Sequence, residues 1–161
     1  MEEKEEGRGA AVKIPPPILP IATIIAGYVL GRFIPILDQY DLAVPERYLV
    51  GGLIAVAAIV IFIVGPFLQF KKTGQDPAPW TPTPEIVVAG PYKFTRNPMY
   101  LGMILFCIGF AIILSEVWVL ILTPLCGWMI YNIAIKREEI YLEEKFGDSY
   151  RAYKRRVRRW I

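Results

Sequence analysis

MYLGMILFCIGFAIILSEVWVLILTPLCGWMIYNIAI, residues 99–135, carries one charged residue, Glu116. That residue and Ser115 divide the stretch into an apolar run of 16 residues, Met99 to Leu114, and one of 19, Val117 to Ile135. A helix rises 1.5 Å per residue and the hydrocarbon core of a bilayer is about 30 Å thick, so about 20 apolar residues cross it. The second run meets that length and the first is short. The polar pair between them reads as a tight turn, and the whole stretch as a helical hairpin.

Upstream lie two further runs. Tyr48 to Phe70 is 23 residues without a charge, and Ile18 to Leu37 is 20 residues interrupted by Arg32 and Pro35. Arg32 can keep its guanidinium at an interface while its stem lies in hydrocarbon. Backbone polar groups in lipid must be satisfied within the element, and the alternation of barrel strands is absent, so the runs are read as helices. The expected fold is an all-α integral membrane protein with four transmembrane helices and a C-terminal interfacial amphipathic helix. The composition agrees: 55% of the 161 residues are hydrophobic and 20% charged, against about 45–50% and about 25% in soluble domains. The mean hydropathy is +0.41. This pattern argues against an ordinary soluble globule and against a disordered chain. The N-terminal Met1–Lys13 is polar, and its four Glu do not suit a signal peptide.

Lys and Arg set the orientation. The N-terminal tail, the loop after the second run and the C-terminal tail together hold 16 of the 18 basic residues. Only Arg32 and Arg47 fall elsewhere, beside Asp38, Asp41 and Glu46. Four spans then put both termini and the long loop in the cytoplasm. Gly27 and Gly31 form a GxxxG pair, read as helix packing.

The loop Lys71–Asn97 holds five prolines, at 77, 79, 82, 84 and 91, and should be stiff and extended. Asp76, Trp80 and Glu85–Val88 are expected in the headgroup layer. In the tail, Leu142, Phe146, Tyr150, Tyr153, Val157 and Trp160 form one helical stripe, with most of the basic residues off it. Gly147 should break this helix and Asp148 cap its second half. Such a basic amphipathic helix either anchors on anionic lipid or roofs a pocket.

The chain has no His, which excludes Ser-His-Asp and Cys-His catalysis and His-ligated metals. Cys107 and Cys126 lie in apolar runs and read as small apolar residues. No carboxylate lies inside a run, which argues against a proton-coupled transporter. Neither metal nor nucleic acid is an expected partner. Polar chemistry collects instead at one level: Arg96, Asn97 and Tyr100 open the third run, while Asn132, Lys136, Arg137, Glu138 and Glu139 close the fourth. An antiparallel hairpin brings those two ends together. The alternative for Arg137-Glu138-Glu139 is a solvated helix end.

The run Gly90-Pro91-Tyr92-Lys93-Phe94-Thr95-Arg96-Asn97-Pro98-Met99-Tyr100-Leu101-Gly102, the hairpin, Glu138-Glu139, and then Tyr141-Leu142, Phe146-Gly147 and Tyr150 resemble the isoprenylcysteine carboxyl methyltransferase family and its phospholipid methyltransferase relatives. The resemblance covers roughly residues 70–161. The family pattern is Arg-His-Pro-x-Tyr-x-Gly, a hydrophobic stretch, then Glu-Glu; Asn97 stands where the family has His. The resemblance implies methyl transfer from S-adenosylmethionine in a cytoplasm-facing pocket closed by the tail. It implies cofactor contacts from Arg96, Asn97, Pro98, Tyr100, Gly102, Arg137, Glu138, Glu139 and Tyr150, with Tyr153 as another wall for the adenine. Arg96, Asn97, Tyr100 and Glu139 are the implied catalytic residues.

The domain reading is a polar tail over 1–13, two helices within 14–70 and a methyltransferase core over 71–161. The expected acceptor is a lipid, or a prenylated small molecule or protein, entering from the bilayer, with carboxyl methylation of an isoprenylcysteine-like group foremost. Rivals are N-methylation of phosphatidylethanolamine, small-thiol methylation, a nicotinamide-dependent membrane reductase and a non-enzymatic four-helix scaffold.

Overall fold

A computed structural model describes residues 9, 10, 12, 14–35 and 44–161. Most of the tail 1–13, with Lys4, Arg8 and Lys13, and the stretch 36–43, with Asp38 and Asp41, lie outside the described residues. Every regular element among the described residues is helical.

Helix α1 (Ile18–Phe33) follows three prolines. Helix α2 (Val44–Ile59) runs through a π turn (Val60–Val64) into α3 (Gly65–Lys72), one continuous helix of 29 residues. Pro66 accounts for that turn. It has no N–H, and its ring crowds the carbonyl four residues back, so the helix widens just before it. After a single turn of 3-10 helix at Gly90–Lys93, α4 (Pro98–Leu114) starts with proline at its first position, where the missing N–H costs nothing.

Helix α4 ends where the sequence predicts. Ser115 takes the left-handed conformation at φ 55°, and the N–H of Glu116 closes on the carbonyl of Ala111 at 3.0 Å. Helix α5 (Val117–Ile130) then returns antiparallel. It passes through a second π turn (Tyr131–Ile135) into α6 (Lys136–Arg156), a continuous run of 40 residues. Gly147 kinks α6 at φ 50° and ψ −120°, a conformation glycine adopts without a Cβ penalty. Asp148 accepts two hydrogen bonds from the Arg151 guanidinium.

Two helices, Val44–Lys72 and Val117–Arg156, are long and apolar enough to cross a membrane. Helices α1 and α4 are apolar but have 16 and 17 residues, about 24 and 26 Å at 1.5 Å per residue. The structure thus supports two full-length spans and two shorter apolar helices, of which the sequence marked Met99–Leu114 as short.

Helix α4 sits centrally, against α1, α2 and α5, while α1 also lies on α5. Small residues make these approaches close. A Cβ on Gly109 would sit 2.9 Å from Ala55 N and from Gly51 O, and one on Gly27 would sit 2.7 Å from Val119 N. Gly27 and Gly31 therefore face the start of α5. The buried core joins Met103 and free Cys107 of α4 to free Cys126 and Ile130 of α5. The outward faces are apolar: Ile21, Ile25 and Val29 on α1, Leu49, Leu53 and Val56 on α2, Ile121, Leu125 and Trp128 on α5. Exposed apolar surface on this scale marks a surface covered by something other than water.

Candidate active site

A cavity of about 350 Å³ lies between the Pro-rich loop, the start of α4 and the start of α6. That is at the low end for small-molecule sites, roughly 300–1,000 Å³. Its lining divides by chemistry. Phe67, Phe70, Trp80, Ile86, Val87 and Met103 supply apolar wall, while Arg96, Asn97, Tyr100, Glu138, Glu139 and Tyr150 supply polar groups.

The hairpin creates the polar part. Ser115-Glu116 folds α5 back along α4, so the N-terminal turn of α4 meets the first turn of α6. There Tyr100 Oη donates to Glu138 Oε1. Glu138 lies in α6, beyond the apolar run. Burial pushes its carboxyl up to about 7; the Tyr100 hydrogen bond opposes this and the adjacent Glu139 charge adds to it.

Glu139 is held by two guanidiniums. Arg96 Nη1 lies 3.0 Å from Oε1, and Arg159 donates from Nε to Oε1 at 2.9 Å and from Nη2 to Oε2 at 2.8 Å. Burial alone would raise this carboxyl, but the Arg159 hydrogen bonds and the Arg96 charge hold it below the ordinary carboxylate value. The Arg96 side chain is only 9% exposed, and its Nε has no acceptor. Its Nη1 is at ion-pair distance from Glu139 yet makes no hydrogen bond of good geometry. A buried guanidinium with unfilled donors is short of an anionic or acceptor partner.

The C-terminal arm is stitched to the segment before α4. Arg96 N donates to Arg158 O at 2.9 Å, Thr95 Oγ1 to Arg159 O at 2.9 Å, and Asn97 Nδ2 to Arg159 O at 3.1 Å. Tyr153 Oη donates to Tyr92 O at 2.8 Å. The Arg159 guanidinium also stands 5.0 Å over the Tyr131 ring in the second π turn. The kink at Gly147 turns the arm back, so Tyr150 and Tyr153 are buried against the cavity. Burial, with the Glu139 charge next, pushes the Tyr150 phenol up to about 12 against the opposing pull of Arg96, so it stays neutral.

Of the residues expected from sequence, Arg96, Asn97, Pro98, Tyr100, Glu138, Glu139 and Tyr150 line this one cavity. Gly102 and Arg137 do not. Gly102 is a helix contact, where a Cβ would meet Phe62 Cβ at 2.8 Å and Ala58 O at 3.1 Å, and Arg137 is exposed on α6. Asp76 and Trp80, expected in the headgroup layer, line the cavity, as do Ala10, Pro16 and Pro17. Within the stretch read as a polar tail, Ala10 and Val12 are buried. The roles of Arg159, Thr95 and Tyr92 were not visible in the sequence. Arg159 reaches Glu139 only because the chain reverses at Gly147, and no local spacing signals that pairing.

A profile of the phospholipid methyltransferase family matches residues 47–149. A protein-S-isoprenylcysteine O-methyltransferase of Schizosaccharomyces pombe is 33% identical over 72 residues, 45% of this chain and 30% of that protein. The human protein of the same name is 32% identical over 82 residues, 47% of this chain and 26% of the relative. An uncharacterised protein of Haemophilus influenzae is 42% identical over 65 residues, 39% of this chain and 100% of the relative. The chain thus spans about a third or less of the named methyltransferases it matches. No solved structure matches it.

Proposed function

The chain belongs to the phospholipid methyltransferase family, and on that premise we propose that it is a multi-pass membrane methyltransferase using S-adenosylmethionine and acting on a lipid or lipidated acceptor, foremost an isoprenylcysteine-like carboxylate. The observation that carries the reading is Arg96, buried at the cavity with unfilled donors beside Glu138 and Glu139.

These residues fit the cofactor. Arg96 suits its carboxylate. Glu138 and Glu139 suit its amino group and ribose hydroxyls. Tyr150 and Tyr153 suit the adenine. When bound, the cofactor supplies a sulfonium-activated methyl group for in-line displacement. The chain's own part is positioning, which can supply much of the acceleration in such a reaction. Tyr100 fixes Glu138, Glu139 orients Arg96, and the arm with Tyr150 and Tyr153 excludes water. An acceptor carboxylate is already ionised at neutral pH and needs no base. Asn97, in place of the family His, acts here as a hydrogen-bond donor to Arg159 O.

The membrane placement follows the same reading. The distribution of basic residues favours four spans with both termini cytoplasmic, the short α1 and α4 being accommodated by local thinning of the bilayer. Residues 14–70 then shape the acceptor path, and residues 71–161 form the methyltransferase core. A lipid acceptor enters sideways with its tail still in hydrocarbon, along the apolar wall of Phe67, Phe70 and Met103.

One observation favours a second reading, N-methylation of phosphatidylethanolamine. Glu138 lines the cavity, and burial pushes its carboxyl up to about 7, the range suited to taking a proton from an amine.

Calorimetry with S-adenosylmethionine in detergent tests the cofactor, and radiolabelled methyl transfer to a prenylcysteine analogue and to phosphatidylethanolamine tests the acceptor. Binding that is weakened about ten- to hundredfold by Arg96→Ala or Glu138→Ala is expected. No binding at millimolar cofactor would sink the proposal.

A further inference from the structure

The closing arm carries cations that the cavity does not use. Arg96 and Arg159 are paired with Glu139, and Lys154 and Arg151 with Glu143 and Asp148. Arg155, Arg156 and Arg158 are exposed, and no ion pair joins them to a carboxylate among the described residues. The hydrogen bonds from Arg96 N to Arg158 O and from Tyr153 Oη to Tyr92 O lay residues 92–96 alongside residues 153–159. This adds Lys93 to the same surface, next to Phe94. Neither 92–96 nor 149–161 contains an Asp or Glu. Two large apolar side chains stand out from this basic surface, Phe94 and Ile161, each 76% exposed.

Four cations with two protruding apolar side chains make an unusual surface to present to water. It is the pattern of an interfacial surface, where cations meet headgroups and apolar side chains enter the acyl boundary. The position fits, because α6 continues directly from the apolar helix that includes Val117–Ile130.

We propose that Lys93, Phe94, Arg155, Arg156, Arg158 and Ile161 form one docking surface for the anionic phospholipid headgroups of the bilayer in which the chain sits. The proposal rests on the membrane reading above and not on the identity of the reaction. It ties lipid composition to the cavity, because the carbonyls of Arg158 and Arg159 hold Arg96 N and Asn97 Nδ2. Headgroups that hold the arm down also hold those two residues in place.

The experiment is hydrogen exchange of the full chain in nanodiscs of phosphatidylcholine alone or mixed with phosphatidylglycerol, with no cofactor or acceptor present. A basic residue near an anionic surface is worth about fivefold in partitioning. Amides of residues 154–161 are therefore expected to exchange at least about tenfold more slowly in the anionic discs, with the difference lost at high salt. The Arg155→Gln, Arg156→Gln, Arg158→Gln triple variant should abolish the lipid difference, and Phe94→Ser should reduce it. Equal exchange of the wild type in both discs overturns the proposal without need of any variant. So does a salt-sensitive protection indifferent to phosphatidylglycerol, which would assign the surface to an acidic protein segment. Loss of methyl transfer to every acceptor would defeat the proposed function and leave this result standing.

Discussion

Replacing Arg159 with Gln removes the forked contact on Glu139 while leaving the main-chain carbonyl that receives Thr95 and Asn97. The arm stays tied, and only the ion pair is lost. Hydrogen bonds to charged groups are worth about 1.5–3 kcal/mol. The side chain of Arg159 is 36% exposed and that of Glu139 12%, so solvent screening reduces the figure. Glu139 also keeps Arg96 at 3.0 Å. A net loss of about 1–2 kcal/mol remains, or about 5- to 30-fold in affinity if Glu139 orients Arg96 for the cofactor. The assay is calorimetric titration of S-adenosylmethionine into nanodisc-embedded protein, with thermal unfolding measured in parallel.

Arg159→Lys keeps the charge without the fork and should recover part of the affinity. The pH dependence adds a sign. Glu139 is held below its ordinary 4.5, so its contribution is present above that value and is lost as pH falls through the lower native value. In Arg159→Gln the native value moves back up, and acid sensitivity should begin at a higher pH. A variant with wild-type affinity and an unchanged acid profile would refute the assigned role of Arg159.

Glu138 gives the opposite sign. Its native value of about 7 stands above 4.5, so wild-type stability should fall as pH rises between the two, by on the order of 3 kcal/mol; Glu138→Gln should flatten that part of a melting-temperature profile. Asn97→Ala should cost about 1 kcal/mol and speed hydrogen exchange in residues 157–161, whereas Asn97→His should keep the arm protected if the position only donates a hydrogen bond. Gly109→Ala should lower the melting temperature in detergent by the equivalent of about 1–3 kcal/mol, because its Cβ meets backbone at 2.9 Å, while Gly52→Ala, with nothing within 4 Å, should not.

The hairpin and the polar cluster were legible because each rests on a local signal. Ser115-Glu116 interrupts an otherwise uncharged stretch, and an antiparallel return from it forces Tyr100 and Glu138 to the same level. Gly147 was legible as a break because nothing else in that amphipathic stretch favours one. Contacts made by the arm after its reversal were not legible. Arg159 looked like one more solvated cation among nine, and its pairing with Glu139 depends on a kink angle that no spacing encodes. Ala10 and Val12 were hidden by their neighbours, since a short apolar pair inside a charged tail carries no periodicity. Gly102 belongs to the motif, yet its place is explained by the approach of Phe62 and Ala58, a tertiary fact. The run Met99–Leu114 matched its helix almost to the residue, whereas the run from Ile18 outlasted α1, which stops at Phe33: apolar composition marks what can lie in lipid, but local backbone chemistry, here the Pro35 just beyond, decides where a helix stops.

The π turn at Tyr131–Ile135 has a bearing on how this chain can vary. There the N–H of Lys136 reaches back to Tyr131 O, five residues away, so the turn holds one residue more than an α-helical turn would. Each residue advances an α-helix by about 100°. Tightening the turn to α-helix with all its residues kept would sweep Glu138 and Glu139 around the helix axis by about that angle, away from Tyr100 and Arg96, whereas deleting one residue from the turn would let it relax to α-helix with both carboxylates still on their face. The composition of the span would hardly change. This stretch should therefore accept many apolar exchanges, and even the loss of one codon inside the turn, yet reject the same loss from the regular helix between Pro124 and Ile130, so that the turn behaves as a slack link in an otherwise fixed gauge.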